Sequence, residues 1–149
     1  MEPPLGRQLH YVAHMAQQAF NASLAEAGGS LPAWLVLVAI KYRGAQTQSE
    51  LARMIGIKGA TLTHHLDRLE HEGLVTRTRS TTDRRAVGVR LTTTGEKRFE
   101  ALHTVALDYE RRLLAGNTEE DLAVFGTVLR RLAANLAEGW GLDAPVRPD

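Results

Sequence analysis

Leu5, Leu9, Val12, Ala16, Ala19 and Phe20 recur at the spacing of one face of an α-helix. The Gly28-Gly29 pair stops that helix, and Ser30 then stands where the N-cap of a second belongs. Leu31 to Tyr42 is apolar almost all round, with Lys41 its one charge, so this helix belongs at the buried centre. Beyond Gly44, Thr47 and Glu50 have capping-box spacing and predict a short helix from Gln48 to about Ile55. Gly56 supplies a turn. From Lys58 to Glu72, Leu62, Leu66 and Leu69 fall on one side, whereas Thr61, Thr63, His64, His65 and Arg68 fall on the other.

After Gly73 the period changes from near 3.6 to 2. Leu74 to Arg79 and Ala86 to Leu91 read as two strands, and Ser80, Thr81, Thr82 and Asp83 between them are turn formers. A hairpin with the basic tip Asp83-Arg84-Arg85 follows. Helical spacing resumes after Thr94 with Phe99, Leu102, Val105, Ala106, Tyr109 and Leu113, and Gly116 breaks it. The Thr118 to Asp121 capping box opens a last helix through Leu122, Phe125, Leu129, Leu132 and Leu136 to Gly139. The predicted fold class is mainly α with a small β wing, a winged helix-turn-helix framed by N- and C-terminal helices.

A length of 149 residues suits one domain, or a small module with a helical extension. With 44% hydrophobic and 23% charged residues there is enough apolar material for a core. The 18 Lys and Arg against 17 Asp and Glu leave a net charge of +1, so affinity for nucleic acid has to come from placement. Leu74 to Arg98 holds Arg77, Arg79, Arg84, Arg85, Arg90, Lys97 and Arg98 against Asp83 and Glu96. Thr47 to Gly73 holds Arg53, Lys58 and Arg68 against Glu50, Asp67, Glu70 and Glu72. Positive charge therefore gathers on the hairpin.

The absence of cysteine removes disulfides, thiolate metal sites and thiol redox sensing. No segment has the order of a signal peptide, and no apolar run reaches about 18 residues, which predicts a cytoplasmic chain without a membrane partner. His10 and His14 have the spacing of a helical metal pair, yet they share a polar stripe with Gln17 and Asn21 and read as solvated. Neither His71 nor His103 adds ligand spacing, so no metal or other cofactor is expected. No Ser-His-Asp order, glycine-rich phosphate loop, HExxH or paired-carboxylate motif stands out, which argues against an enzyme.

DNA recognition needs a helix that enters the major groove, short donors and acceptors near its N-terminus, and cations facing phosphates. The candidate contacts are Thr47 and Gln48 on the first short helix, and Lys58, Gly59, Ala60, Thr61, Thr63, His64, His65 and Arg68 on the second. The wing adds Arg77, Arg79, Asp83, Arg84 and Arg85. An arginine at a narrow hairpin tip suits the minor groove, with Asp83 placed to brace the guanidinium beside it. The alternative is a winged-helix interaction module that touches only protein.

The run LARMIGIKGATLTHHLDRLEHEGLVTRTRSTTDRRAVGVRLTTTGEKRFE, with helices on either side, resembles the MarR family of transcriptional regulators over nearly the whole chain. The combination of EHEGLV, DRR, VRLT and TGE is specific, whereas a bare helix-turn-helix is not. The resemblance implies a homodimer with intertwined first and last helices, acting mainly as a repressor on a pseudo-palindromic DNA operator. It implies a recognition helix in the major groove and Arg85 in the minor groove. It divides the chain into residues 1–29 and 96–140 for dimerisation, 30–95 for DNA binding and 141–149 as a loose tail. It also implies a small aromatic or phenolic acid effector between the dimerisation helices and the DNA-binding lobe, with His14, Trp34, Val38 and Tyr109 as candidates.

Three positions depart from the family pattern. Lys58 stands at a recognition-helix N-cap that is usually Ser, Thr or Asp, and Thr63-His64-His65 stands where an arginine often follows the hydroxyl residue. Ala33 stands where the second helix commonly carries glutamine. The physical reading of the ends agrees with a dimer, because two apolar stripes exceed what a wing and two short helices cover.

Overall fold

The computed structural model describes residues 1, 3–43, 46–83 and 85–141. Its order is α1 (Leu5–Glu26), α2 (Leu31–Arg43), β1 (Gln46–Thr47), α3 (Gln48–Ile55), α4 (Gly59–His71), β2 (Val75–Arg79), β3 (Val87–Leu91), α5 (Thr93–Leu113) and α6 (Glu119–Trp140). The chain divides into two units, Met1–Leu113 and a second that begins at Leu114. The proposed tail beyond Gly141 lies outside the described residues.

Helix ends form where the local chemistry predicts them. Gly28, at φ +74°, lets the Gly29 N–H reach back to the Leu24 carbonyl at 2.8 Å and close α1. Ser30 Oγ accepts the Ala33 N–H at 3.3 Å and starts α2. Thr47 accepts the Glu50 N–H while Glu50 accepts the Thr47 N–H, completing the capping box on α3. Thr118 and Asp121 do the same for α6, and these hydrogen bonds hold the Asp121 carboxyl below its usual range.

The core gathers Leu24 of α1, Val36, Leu37, Ala39 and Ile40 of α2, Leu51 of α3, Leu62, Leu66 and Leu69 of α4, Val75 and Val89 of the sheet, and Phe99 and Leu102 of α5. α2 packs on α1, α3, α4, α5 and β3, so it is central as its composition predicted. It is not buried all round: Leu35 and Tyr42 stay exposed, because its neighbours cover only part of the cylinder.

The two-stranded ribbon of the sequence reading is a three-stranded antiparallel sheet in the order β1-β3-β2. The addition is Gln46–Thr47, which pairs with Val89 and Gly88. Two residues are too short to show alternation, which is why periodicity missed them. The main hairpin pairs Val75 with Leu91, Arg77 with Val89 and Arg79 with Val87.

A small polar knot joins this hairpin to α5. Thr92 Oγ1 donates to the Gly73 carbonyl at 2.6 Å and accepts the Gly95 N–H at 2.9 Å, while the Thr92 N–H donates to the Leu74 carbonyl at 3.0 Å. Gly95 is buried against that carbonyl, and a Cβ there would lie 1.9 Å from the oxygen. Glu96 pairs with Lys41 of α2, whose Nζ also sits 5.5 Å from the centre of the Phe99 ring.

α6 has no buried residue, and Val124, Phe125, Val128, Leu129, Leu136 and Trp140 are exposed on it. The first half of α1 likewise exposes Leu5, Leu9, Val12 and Met15, whereas Phe20 and Leu24 pack inward. No single helix among the described residues is long and apolar enough to cross a membrane.

Gly95→Ala is expected to destabilise the fold by about 3 kcal/mol, since backbone must move to admit the methyl group. Gly29→Ala meets Leu102 side-chain atoms instead and is expected to cost about 1 kcal/mol. Urea unfolding of both variants at one protein concentration checks the order.

Candidate nucleic-acid interface

The leucine face of α4 decides what its other faces present. Leu62 and Leu66 are fully buried and Leu69 nearly so, which turns Ala60, Thr61, His64, Asp67 and Arg68 outward. Lys58 occupies the α4 N-cap with no side-chain cap bond, so the first N–H groups of the helix keep their donor capacity and a cation stands beside them. Gly59 is exposed next to it. An anion such as a DNA phosphate fits this combination.

Gln48 and Thr63 play a different part from their neighbours. Gln48 Nε2 donates to Thr63 Oγ1 at 3.0 Å, and that hydroxyl donates to the Gly59 carbonyl at 2.9 Å. This chain of bonds ties the start of α3 to the first turn of α4 and uses the Thr63 proton internally. Thr61 and His64 are the exposed polar side chains nearest the start of α4, whereas His65 is half-buried. Arg68 Nε donates to Glu72 at 3.0 Å from a largely exposed position.

In the wing, Asp83 Oδ1 accepts the backbone N–H of Arg85 at 2.9 Å. The aspartate therefore braces the turn backbone that carries Arg85. Ser80 Oγ accepts the Thr82 and Asp83 N–H groups at 3.2 and 3.1 Å and closes the other side of the tip. Arg85 is exposed, and Arg84 lies outside the described residues.

Arg77 points to α4. Its guanidinium meets Asp67 at 2.6 Å and Glu70 at 2.7 Å with 21% of the side chain exposed. The hydrogen bonds from Arg77 hold the Glu70 carboxyl below its usual range, and Glu70 in turn raises Arg77. Arg98 is similarly engaged, donating to the Gly28 carbonyl at 2.9 Å. Among the described residues, the exposed cations of this segment are Arg79, Arg85, Arg90 and Lys97.

Arg90 was counted in the charge balance but not singled out as a contact. With Thr47, Thr78, Arg79, Ser80, Ala86 and Gly88 it lines an open cleft along the wing. The register that sets Thr78 opposite Gly88 and Thr76 opposite Arg90 supplies the missing signal, since alternation then groups them on one face. The spacing of three between Asp67 and Glu70 was likewise a readable sign that both carboxylates share a side of α4.

The four effector candidates lie on α1, α2 and α5. Trp34 stacks on Phe99 at 5.7 Å and lies 6.2 Å from His103, between ring centroids. Tyr109 rests on Phe20 at 4.8 Å and donates its hydroxyl to the Ala16 carbonyl at 2.9 Å; burial raises its pKa. His14 is exposed on α1, and Val38 packs against the core. A cleft of about 170 Å³ lies instead between the α1–α2 turn and α4, lined by Gly29, Ser30, Pro32, Ala33, His65 and Arg68 among others. Among the described residues no three His, Asp or Glu side chains gather as metal ligands.

Known proteins share this fold. A family model described as the MarR family matches residues 30–87. The HTH-type transcriptional regulator YwoH of Bacillus subtilis (strain 168) is 31% identical over 123 residues, which cover 83% of this chain and 89% of the relative. A MarR mutant from E. coli complexed with operator DNA superposes with a TM-score of 0.77 at 29% identity, covering 87% of this chain and 93% of its own. Bordetella bronchiseptica BpsR, from a structure concerned with regulation of its DNA binding by 6-hydroxynicotinic acid, shares the fold at 21% identity, with a TM-score of 0.75 and coverage of 87% and 98%. With the winged helix, the paired α3 and α4 and these likenesses together, the chain belongs to the MarR family of transcriptional regulators.

Proposed function

We propose that the protein is a sequence-specific repressor that binds a pseudo-palindromic operator as a homodimer and is released by a small aromatic or phenolic acid. The observation that carries the DNA reading is the outward face of α4, with Lys58, Thr61 and His64 exposed beside a wing whose Arg79, Arg85 and Arg90 are also exposed. In this reading α4 enters the major groove, where Thr61 and His64 meet base edges and Lys58 a phosphate. Arg85 enters the minor groove at the wing tip, and Thr47 lies beside the backbone. Histidine lacks the bidentate fork of arginine, so the preferred operator differs from one read by an arginine at His64.

The dimer reading rests on the apolar stripes of α1 and α6. Leu5, Leu9 and Val12 on one and Phe125, Leu129 and Leu136 on the other are exposed in a single chain, an arrangement that a second copy covers. Two copies present two recognition helices to half-sites about one helical turn apart, and an effector acts by favouring a spacing that does not fit them. Trp34, Val38, His14 and Tyr109 remain the residues assigned to the effector. Repression follows if the dimer occupies a promoter, in the cytoplasm where that DNA lies.

Fluorescence anisotropy on the upstream intergenic DNA of its own gene, with random duplex as competitor, tests the reading. The wild type is expected to bind tightly with a steep salt slope and to survive the competitor. Arg85→Ala is expected to lose about 1–3 kcal/mol of binding free energy. Equal weak binding to both duplexes would favour a protein-binding winged helix.

Sedimentation of the wild type is expected to give a dimer, and Phe125→Asp with Leu129→Asp a monomer that binds operator poorly. A hydroxybenzoic acid panel is expected to contain a compound that raises the melting temperature, by about 2.7 kcal/mol of stabilisation at a hundredfold excess over its Kd. Trp34→Ala should abolish that shift, while a panel with no shift removes the effector.

A further inference from the structure

β2 is an edge strand, because the sheet order leaves one side of its backbone without a ladder partner. Polar groups on such an edge need another partner when protein covers them. The Arg77 N–H finds one in Glu70 Oε1 of α4 at 3.2 Å. The guanidinium of the same residue donates through Nε to Glu70 Oε2 at 3.1 Å, and through Nη2 to that oxygen at 2.7 Å and to Asp67 Oδ1 at 2.6 Å. One carboxylate of α4 thus grips both the main chain and the side chain of a wing residue. Isolated exposed ion pairs contribute little, as with Arg68 and Glu72, but a multidentate network on an arginine only 21% exposed falls outside that rule.

Accordingly, we infer that Arg77, with Glu70 and Asp67, is a positioning residue that sets the angle of the wing against the recognition helix. The inference rests on the proposed DNA-binding mode, since it is the distance from α4 to the wing tip that the bracket holds. Arg85 and the Lys58 end of α4 then meet minor and major grooves in a preset register, and little ordering is left for the moment of binding. The bracket also answers a charge problem. Asp67 and Glu70 are two of the four acids that make the helix-turn-helix net negative, and unpaired they would repel phosphate. Bound to Arg77, they share one positive charge from the wing, which offsets part of that repulsion.

The test compares the wild type with Arg77→Gln, Arg77→Lys and Glu70→Ala on operator and random duplex across a range of salt, alongside hydrogen exchange without DNA. Arg77→Gln and Glu70→Ala are both expected to weaken operator binding on the order of tenfold. Their salt slope stays at the wild-type value, β2 and β3 amides exchange faster at unchanged global melting, and Arg77→Lys recovers part of each effect. A phosphate-contacting Arg77 behaves otherwise: its loss lowers the salt slope by about 1, and removing the Glu70 carboxylate tightens binding. That pair of results would overturn the inference. If the wild type fails to prefer its operator, the DNA reading itself fails, and exchange alone decides the bracket: loosened β2 amides sustain it and unchanged protection removes it.

Discussion

Burial of three leucines on α4 is the constraint from which the working surface follows. Leu62, Leu66 and Leu69 enter the same core as Val36, Leu37 and Ile40 of α2, and each contributes roughly 1.5–3 kcal/mol by leaving water. A rotation that exposed them would cost more than any surface contact of the helix returns. The helix is therefore held about its own axis, and Thr61, His64 and the Lys58 end face outward for that reason. Gln48 and Thr63 add a polar tie between α3 and α4 on the same geometry.

The wing depends on that core at one remove. Val75 and, opposite it, Leu91 anchor its base, while Thr92, Gly73, Leu74 and Gly95 knit its strands to α5 without room for a single extra methyl group. Farther out, Arg77 and its two carboxylates connect β2 to α4, and Asp83 and Ser80 shape the tip. Rigidity thus passes from apolar packing at the base to charged hydrogen bonds at mid-strand and to turn chemistry at the end.

This gradient explains how a chain with a net charge of +1 builds a basic surface. Asp67 and Glu70 of α4 are paired with Arg77, and Arg98 is engaged by the Gly28 carbonyl. On the wing itself the exposed Arg79, Arg85 and Arg90 outnumber the exposed Asp83 among the described residues. Pairing these acids with a wing arginine does more than removing them would, because the same ion pairs also fix geometry.

Much of this was legible in the residues. Periodicity near 3.6 and 2, with capping boxes at Thr47 and Thr118, determined the six helices and the hairpin, because these patterns depend on neighbours a few positions apart. The exposed character of Thr61 and His64 followed from the leucine spacing alone. Tertiary structure decided the rest. It recruited Gln46 and Thr47 as a third strand, sent Arg77 to α4, turned Asp83 to the Arg85 main chain, and occupied Trp34 and Tyr109 with Phe99 and Ala16. Each of these depends on what lies across a fold from the residue. An arginine written into a basic strand carries no local mark of whether its partner is a phosphate or a carboxylate ten positions earlier in the chain.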